Sequence, residues 1–406
     1  MRCSRGAVVV AIGSVFCVAL SGCGGAATSS EKNTNTNTIT VGLLIPETGV
    51  YAPLGGEMKK AVDLYMKTHD NKLGNRSAAV KIADSASNPE TGKQKAGELI
   101  QRDHADVLTG VVASPVAISV ADVAVREKTA VVIANAGADS LTGAHPSPYV
   151  WRTSKSNYQL GYSAGVYAAE HVAKSDGVFM GSDYSAGTEI HDGFVAGYRA
   201  NGGGKLLADI MTPFGQTSNY QPYLSTIPSK AKFVYAFYAG GEAVTFDKDY
   251  KALGYSKKFP LIGSQDLTDE MILGAVGDSA LGIETIGNYS SALDNPANKK
   301  FTKLWADNYD GAAPSIVAVT MWDAMQLIDK GAGALNGGSE SDSLAQSFGK
   351  VGSFESPRGE VKIDPETHNP VEDFFAMRLD KKGKGYVNTV LETIPAASIK
   401  SFSSES

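Results

Sequence analysis

One stretch of the sequence has the spacing of a catalytic nucleophile. Gly161-Tyr-Ser163-Ala-Gly165 matches Gly-x-Ser-x-Gly, which in hydrolases places the serine on a sharp turn between a strand and a helix. The polar residues 155–159 precede the match where an apolar strand is required, and residues 166–170 continue a helical pattern. We therefore predict that the two glycines allow close helix packing and that the protein is not an enzyme. An esterase that uses Ser163 is the enzymatic alternative.

The sequence carries no recognisable metal or phosphate motif. The six histidines share no ligand spacing with each other or with cysteine, and Gly202 to Lys205 match no phosphate-binding loop. Asp266, Asp269 and Glu270 lie close together but lack the pattern of a calcium loop, so we interpret them as solvated acids at the start of a helix. We predict neither a metal nor a cofactor.

Cysteine chemistry is predicted at one position, Cys23. Arg2 and Arg5 form a basic segment ahead of the apolar run Ala7 to Leu20, which is too short to span a membrane. Leu20-Ser21-Gly22-Cys23 then matches the lipobox of bacterial lipoproteins, in which the cysteine thiol accepts a diacylglyceryl group. We predict a signal peptide over residues 1–22, with lipidated Cys23 as the first mature residue.

The composition narrows the possible partners. Cys3 and Cys17 leave with the signal peptide, so no internal disulfide is possible. The net charge of −6 disfavours nucleic acid as a partner. Residues 23–38 are rich in Gly, Ser, Thr and Asn and are predicted to form a flexible tether. We expect a monomer on the extracytoplasmic face of the cell membrane, held there only through the lipid.

From Ile39 onward, short β-rich runs alternate with helical segments, which is typical of parallel sheets covered by helices. The predicted strands are 39–45, 80–83, 106–112, 130–134, 177–181, 205–210, 232–238, 260–262, 360–363, 374–379 and 386–393. The predicted helices are 55–67, 89–102, 114–127, 158–173, 187–200, 220–227, 242–253, 298–308, 314–330 and 341–348. The alternation starts again after Pro148-Tyr-Val-Trp-Arg-Thr153, so we predict an α/β protein with two open-sheet lobes.

Open α/β sheets bind ligands at the carboxyl ends of their strands. Two lobes that face each other there form a cleft, lined by the loops that follow the strands. The predicted loops are 46–55, 113–114, 135–139, 182–187, 239–241 and 264–266. Ser114-Pro115 lies in one of them, and we interpret Ser114 as the N-cap of the next helix, where free N–H groups and the helix dipole favour an anion.

These loops resemble those of the leucine/isoleucine/valine-binding protein family, which has the type I periplasmic-binding fold and serves ABC transporters. The markers of the resemblance are 42–55, 108–114, 148–153, 183–184 and 294–298. Asn135-Ala-Gly137, Arg152-Thr-Ser154 and Phe237 to Glu242 are most similar to members that bind aromatic or other organic carboxylates. The resemblance implies three hinge crossings, near 154–157, 286–289 and 352–355. The implied lobes are 39–154 with 287–352, and 155–286 with 353–398.

The resemblance also implies the residues that touch the ligand. Ser114 and the backbone amides of Asn135, Ala136 and Gly137 would hold a carboxylate. Tyr184 would stack on the ligand, and Leu54 stands where amino-acid binders often carry an aromatic residue. The remaining implied ligand contacts are Tyr238, Gln265 and Asp266.

Two departures from the family pattern bear on the ligand. Amino-acid binders hold the α-ammonium with a threonine and a glutamate, whose places fall here at Gly137 and near Gln265. A buried ammonium without a carboxylate partner is costly, so we predict a carboxylate or amide ligand without an α-amine, unless Asp266 replaces the glutamate. The leading prediction is a transport receptor that docks on an ABC permease. The alternative is a sensory protein that signals to a membrane partner.

Overall fold

The computed structural model describes residues 38–172, 174–335 and 341–400. The predicted signal peptide, Cys23 and nearly all of the predicted tether lie outside these residues. No helix in the described part of the chain combines the length and the apolar character needed to cross a membrane.

The first lobe is built on a six-stranded sheet with the order β2-β3-β1-β4-β5-β6. All neighbouring strands run parallel except β2 and β3. The strands are β1 (Thr38–Ile45), β2 (Lys72–Leu73), β3 (Arg76–Asp84), β4 (Val107–Gly110), β5 (Ala130–Ile133) and β6 (Val150–Arg152). β4 and β5 are buried at every position, as expected for parallel strands that are covered on both faces.

The second lobe is built on a seven-stranded sheet with the order β16-β15-β11-β10-β9-β7-β8. Its parallel strands are β7 (Gly177–Asp183), β8 (Leu206–Pro213), β9 (Phe233–Phe237), β10 (Leu261–Ser264) and β11 (Glu284–Gly287). A third, three-stranded sheet contains β12 (Ser353–Ser356), β13 (Gly359–Ile363) and β14 (Pro370–Val371). The hairpin β15 (Phe374–Lys382) and β16 (Gly385–Ile394) then adds an antiparallel edge to the second sheet.

Helices connect most of the parallel strands. In chain order they are α1 (Ala52–Thr68), α2 (Pro89–Gln101), α3 (Ser114–Arg126), α4 (Asn157–His171), α5 (Ser185–Ala200), α6 (Gln221–Leu224), α7 (Gly241–Ala252), α8 (Tyr255–Lys258), α9 (Leu273–Val276), α10 (Pro296–Asn308), α11 (Ile316–Gly333) and α12 (Ser341–Phe348). Single turns of 3₁₀ helix occur at Asp139–Leu141, Gln265–Thr268, Gly277–Ala280 and Ala396–Ser398.

The short strand β6 is a finding that the sequence pattern did not predict. It pairs with β5 and completes the first sheet, although residues 148–153 show no clear alternation of apolar and polar side chains. Trp151 and Arg152 are both buried, because helices and the third sheet cover this edge. Burial on both faces removes the alternation by which a half-exposed strand is recognised.

The third sheet belongs to the first lobe. Phe354, Val361 and Ile363 pack into the same core as β1, β4 and β5, and the His368 ring stacks on Trp151 at a centroid distance of 3.5 Å. The chain therefore enters the second lobe for the last time between Val371 and Phe374, later than the crossing expected near 352–355. The packing of these side chains, rather than the hairpin-like sequence pattern, shows where this crossing lies.

The pair of helices α4 and α5 explains the Gly-x-Ser-x-Gly match. A Cβ atom added to Gly161 would lie 2.1 Å from the backbone oxygen of Ile190, and one added to Gly165 would lie 2.4 Å from that of Phe194. Gly193 and Gly197 approach α4 as closely from the other side. Ser163 is fully buried and donates a 2.7 Å hydrogen bond to the Gln159 carbonyl. The packing interpretation is confirmed.

Strand order identifies the place in each sheet where a ligand crevice opens. In the first sheet the chain goes from β1 to β3 on one side and then to β4 on the other. In the second sheet it goes from β7 to β8 and then to β9 across β7. Such reversals leave a crevice outside the carboxyl ends of the two central strands. The loops after β1, β4, β7 and β9 are therefore the expected walls of a site.

Candidate functional site

A cavity of about 30 Å³ lies at these four loops. Its apolar wall consists of Leu54, Val112, Leu160, Ala186, Ile190, Phe237 and Ala239. Its polar wall consists of Tyr51, Ser114, Asn135, Gly137, Lys155, Asn157, Tyr184 and Asp266. One water molecule needs about 10–15 Å³, so a ligand larger than a few waters requires the two lobes to lie farther apart than they do here.

The loop between β4 and α3 holds Ser114 at the cavity. Val111 is fully buried and has a φ of +63°, a conformation that β-branched residues rarely adopt. Its N–H donates to the Leu44 carbonyl and its carbonyl accepts from the Ala136 N–H. These bonds, to β1 and to the loop after β5, hold the strained residue in place, and strain of this kind is concentrated at functional sites.

Ser114 is the first residue of α3 rather than its N-cap. The N-cap position is Ala113, and no side chain caps this helix. The Ser114 hydroxyl instead accepts a 3.2 Å hydrogen bond from the Asn157 side-chain amide. Since the first N–H groups of a helix have no partner within the helix, the start of α3 offers both amide donors and a hydroxyl proton to an anion in the cavity.

Asn157 joins this helix start to the second lobe. Its side-chain nitrogen also donates to the Glu189 carboxylate at 2.7 Å, and its backbone N–H donates to the Gly137 carbonyl at 2.7 Å. A Cβ atom on Gly137 would lie 2.1 Å from the Asn157 Oδ1 atom. Asn157 thus fills the space that a threonine at position 137 would need.

Glu189 reaches from α5 to the first lobe, where its carboxylate accepts a 3.3 Å bond from the Asp139 N–H. Burial, followed by the charge of Asp139, raises the pKa of Glu189 to about 7. Burial also raises the pKa of Asp139. The buried Arg152 guanidinium opposes both shifts. Glu189 therefore titrates near neutral pH at the junction of the lobes.

Two tyrosines close the cavity on another side. The hydroxyl groups of Tyr51, at the start of α1, and Tyr184, after β7, lie 2.9 Å apart. Phe214 stacks on the Tyr184 ring at a centroid distance of 4.4 Å and also contacts Tyr51. Burial raises the pKa of both tyrosines well above the usual range, so both hydroxyls stay protonated. One proton serves the bond between them, and the other is available to a second acceptor.

The structure brings most of the predicted site residues together. The residues that line the cavity are Leu54, Ser114, Asn135, Gly137, Tyr184 and Asp266. Ala136 lies behind the wall, where its carbonyl accepts a 2.8 Å bond from the Ser154 hydroxyl. It supports the loop without lining the cavity.

Tyr238 is a correction to the predicted site. Its side chain is fully buried in the core of the second lobe, with its ring against Tyr220 and Phe246. Phe237 lines the cavity instead. Successive side chains of a strand point to opposite faces, so an error of one residue at the end of β9 exchanges a cavity residue for a core residue.

Gln265 is a second correction, because it does not line the cavity. Its side-chain oxygen accepts from the Asn288 N–H at 3.0 Å and its nitrogen donates to the Tyr289 carbonyl at 2.8 Å. It therefore fixes the crossing that follows β11. Asp266, the next residue, lines the cavity and provides a carboxylate there.

Asp269 and Glu270 were interpreted as solvated, and this is wrong. Asp269 is 1% exposed and its carboxylate accepts from the Ile316 N–H at the start of α11 in the first lobe. Glu270 accepts from the Ser291 N–H after the second crossing. Burial raises the pKa of both groups. They connect the lobes away from the cavity, and a polar sequence pattern gives no sign of this burial.

A buried group of four side chains ties the three crossings together, and we name it the crossing cluster: Asp323, Arg358, Glu372 and Asn288. Arg358 forms ion pairs with Asp323 at 2.9 Å and with Glu372, and it donates to the Thr153 carbonyl at 3.0 Å. The Asn288 amide donates to Glu372 at 2.9 Å. Each charged member is bonded to an opposite charge.

Potential metal ligands occur elsewhere among the described residues. Atoms of Glu170, His171 and Glu392 lie within 4.8 Å of one another at the surface, and His171 contacts Glu392 at 2.9 Å. Glu170 and His171 lie at the end of α4 opposite Asn157, and Glu392 lies on β16. None of the three lines the cavity.

The sequence did not reveal four residues at the site: Lys155, Asn157, Phe237 and Glu189. Lys155 and Asn157 fall in the stretch interpreted as a hinge crossing, and Glu189 lies inside a helix. Sheet order and the positions of the loops could have directed attention to Phe237, but a side chain that reaches the site from a helix leaves no local pattern.

Comparisons with known proteins agree with this architecture. A Leu/Ile/Val-binding protein homolog 6 from Brucella melitensis is 30% identical over 361 residues, covering 87% of this chain and 91% of that protein. The solute-binding protein of an ABC transporter from R. palustris, solved in complex with benzoate, is 34% identical with a TM-score of 0.81, covering 91% of this chain and 98% of that one.

A third protein, from Rhodopseudomonas palustris BisB5, was solved in complex with 3,4-dihydroxybenzoic acid. It is 28% identical with a TM-score of 0.83, and the match covers 90% of this chain and 99% of that one. The predicted α/β fold and the resemblance to Leu/Ile/Val-binding proteins, nearest to members that bind aromatic carboxylates, are confirmed. A family model described as periplasmic binding protein matches residues 38–384. The chain therefore belongs to the periplasmic binding protein family.

Proposed function

We propose that this protein is the solute-binding lipoprotein of an ABC transporter and that it traps a small aromatic carboxylate between its lobes. The observation that carries the proposal is the uncapped start of α3 at Ser114, which lies on a cavity with an apolar and aromatic wall. A carboxylate accepts hydrogen bonds from the helix start, and a ring packs against aliphatic and aromatic side chains. The relatives solved with benzoate and a dihydroxybenzoic acid support this ligand class.

The Ser114 hydroxyl is free to donate a hydrogen bond to the ligand in this proposal. It accepts from Asn157, and it makes no capping bond to its own helix. Its proton can therefore be donated to a carboxylate oxygen. Hydrogen bonds to charged groups contribute about 1.5–3 kcal/mol.

Asp266 supports a second candidate ligand. It places a carboxylate on the cavity, where it could accept from the phenol of a hydroxybenzoate or pair with the ammonium of an amino acid. The side chain of Asn157 stands against Gly137, so the threonine that amino-acid binders use has no counterpart here. We favour the aromatic acid, and an amino acid is the outcome that would replace it.

Calorimetry with benzoate, 4-hydroxybenzoate and leucine tests the ligand. We expect the aromatic acids to bind and Ser114→Ala to weaken their binding by about tenfold or more. Ser163→Ala is the matched control, because Ser163 is equally buried but bonds only within its helix, and it should bind as the wild type does. Tight binding of leucine with no binding of either aromatic acid would overturn the proposed ligand class.

The cavity volume predicts that ligand binding changes the separation of the lobes. Hinge movement of domains about a few connecting residues is a common response to a ligand. Small-angle scattering with and without 4-hydroxybenzoate should therefore give different radii of gyration. Identical scattering in the presence of a saturating ligand would contradict trapping between the lobes.

The anchor and the partners complete the proposal. Lipidation of Cys23 would keep the receptor beside its permease, since several acyl chains hold a protein firmly at a membrane. We expect Cys23→Ala to move the protein from the membrane fraction into the soluble fraction of expressing cells. Retention of the variant in the membrane would refute lipidation at this cysteine. Co-purification with a permease and a monomeric mass in solution are the corresponding expectations for its partners.

A further inference from the structure

Lys155 has an unusual place for a lysine. It lies in the first crossing between the lobes, after β6 and before α4, and only 9% of it is exposed. It also lines the cavity, together with Ser114 and Asn157. Lysine is rarely buried without a partner, so the partners of its ammonium group decide its role.

The Lys155 ammonium has no hydrogen bond or ion pair with any other residue in the described ranges. Burial raises the pKa of Glu372 and the Lys155 charge opposes that shift, but Glu372 is already bonded to Arg358 and Asn288. Two other carboxylates near the cavity are also engaged: Glu189 accepts from Asn157, and Asp139 accepts from the Tyr158 N–H. Lys155 thus lines the cavity without forming an ion pair among the described residues, on a wall that also carries the Asp266 carboxylate.

We infer that Lys155 provides the positive charge that pairs with the carboxylate of the bound ligand and makes the site select acids over their amides. This inference rests on the proposed function and specifies its anion-binding group. The Ser114 hydroxyl and the start of α3 bring neutral donors and a partial charge to the carboxylate. A full positive charge compensates for more of the cost of removing an anion from water than neutral donors do. Lys155 is the cation among the described residues that line the cavity.

The position of Lys155 also connects ligand binding with closure. Its backbone carbonyl accepts a 3.3 Å bond from Arg152 at the end of the first sheet, and the chain enters α4 two residues later. A ligand that binds both Lys155 in the crossing and Ser114 in the first lobe therefore favours one arrangement of this crossing over others.

Paired ligands of equal shape test the inference. Benzoate and benzamide differ in charge at one end, as do leucine and leucinamide, and each is titrated against the wild type, Lys155→Met and Lys155→Arg. We expect the wild type to prefer benzoate. Lys155→Met should weaken benzoate binding by about 10- to 100-fold, corresponding to a charged hydrogen bond of 1.5–3 kcal/mol, and change benzamide binding by less than about threefold. Lys155→Arg should retain the preference for the acid.

The outcomes separate the two proposals. Benzamide binding by Lys155→Met is an internal control for a folded cavity. If Lys155→Met binds benzoate as tightly as the wild type, the inference is wrong although the proposed ligand class stands. If the wild type binds leucine and not benzoate, the ligand class is wrong, and the loss or retention of leucine binding in Lys155→Met decides the role of the lysine. Failure of the wild type to bind any of the four overturns both.

Discussion

The crossing cluster and the cavity wall both bury charged side chains, but they differ in how those charges are satisfied. In the crossing cluster, Arg358 bonds two carboxylates and one of these bonds Asn288. In the cavity wall, Lys155 has no bonded partner among the described residues and Asp266 is paired with no cation there. Removal of one partner from a buried pair leaves the other charge uncompensated, whereas a charge that is already unpaired becomes compensated when a ligand of opposite charge binds.

The difference predicts which residues contribute to the stability of the fold and which contribute to ligand binding. Mutations in the crossing cluster should lower the free energy of unfolding, because they leave an unpaired charge behind. Mutations in the cavity wall should change ligand affinity with little loss of stability. The following experiments test this separation.

The largest effect is expected from Arg358→Met, which leaves both Asp323 and Glu372 without their cation. Breaking a buried ion pair in this way costs about 3–5 kcal/mol of unfolding free energy, and urea denaturation measures it. The control is Arg378→Met, which removes an ion pair with Asp380 whose side chains are 44% and 33% exposed and should cost less than about 1 kcal/mol. Equal losses in the two variants would show that the crossing cluster is not a stabilising unit.

An intermediate effect is expected at Glu189, whose carboxylate bonds Asn157 of the cavity wall. The pKa of this group is raised to about 7 by burial, so the folded protein holds a proton that the unfolded chain has released. Its contribution to stability is therefore present at low pH and is lost as the pH rises from about 4.5 to about 7. At pH 8 the charged, buried carboxylate leaves the folded state destabilised by an amount on the order of 1–3 kcal/mol.

Glu189→Gln cannot ionise, so it should remove this pH dependence. Melting temperatures at pH 5 and pH 8 measure the effect, and we expect the variant to lose less stability than the wild type between the two values. Asp192→Asn on the same helix is the control, since the side chain of Asp192 is 62% exposed. An unchanged difference between pH 5 and pH 8 in Glu189→Gln would contradict titration at this junction.

The smallest effect is expected from Tyr51→Phe, which removes one of the two tyrosine hydroxyls at the cavity and with it a donor to the ligand. A hydrogen bond between neutral groups contributes about 0.5–1.5 kcal/mol, so we expect ligand affinity to fall between about twofold and tenfold. Tyr309→Phe removes a hydroxyl from a bond to Lys60 on the outer surface and should leave affinity unchanged. A greater loss in Tyr309→Phe than in Tyr51→Phe would refute a role of the tyrosine pair in ligand binding.

Much of the architecture could be predicted from the sequence. Apolar runs such as Ile39 to Ile45 and Ala130 to Ala134 are long enough and regular enough to identify parallel strands. The glycines of α4 indicate close helix packing. The loops after these strands, with Leu54, Ser114 and Tyr184, follow from the rule that ligands bind at the carboxyl ends of open sheets. These inferences depend on patterns that are local in the chain.

The errors have a common physical origin. Tyr238 and Phe237 differ by one position, and only packing in the second lobe decides which of them faces the cavity. Gln265 and Asp269 look alike as polar residues of one loop, yet both are buried because residues far away in the chain provide their hydrogen bonds. The third crossing was misplaced because the packing of Phe354 and Val361 on the first core is a long-range contact.

The sequence by itself determined the two α/β lobes, the loops that face each other and the serine at the start of α3, because strand and helix periodicity and turn chemistry act over a few residues. Only the tertiary structure decided which buried charges are paired. Arg358 forms ion pairs with Asp323 and Glu372, whereas Lys155 forms none in the described chain, because ion pairing depends on distances between segments that are remote in sequence. That difference separates the residues that hold the lobes together from those whose charge is left to pair with a ligand.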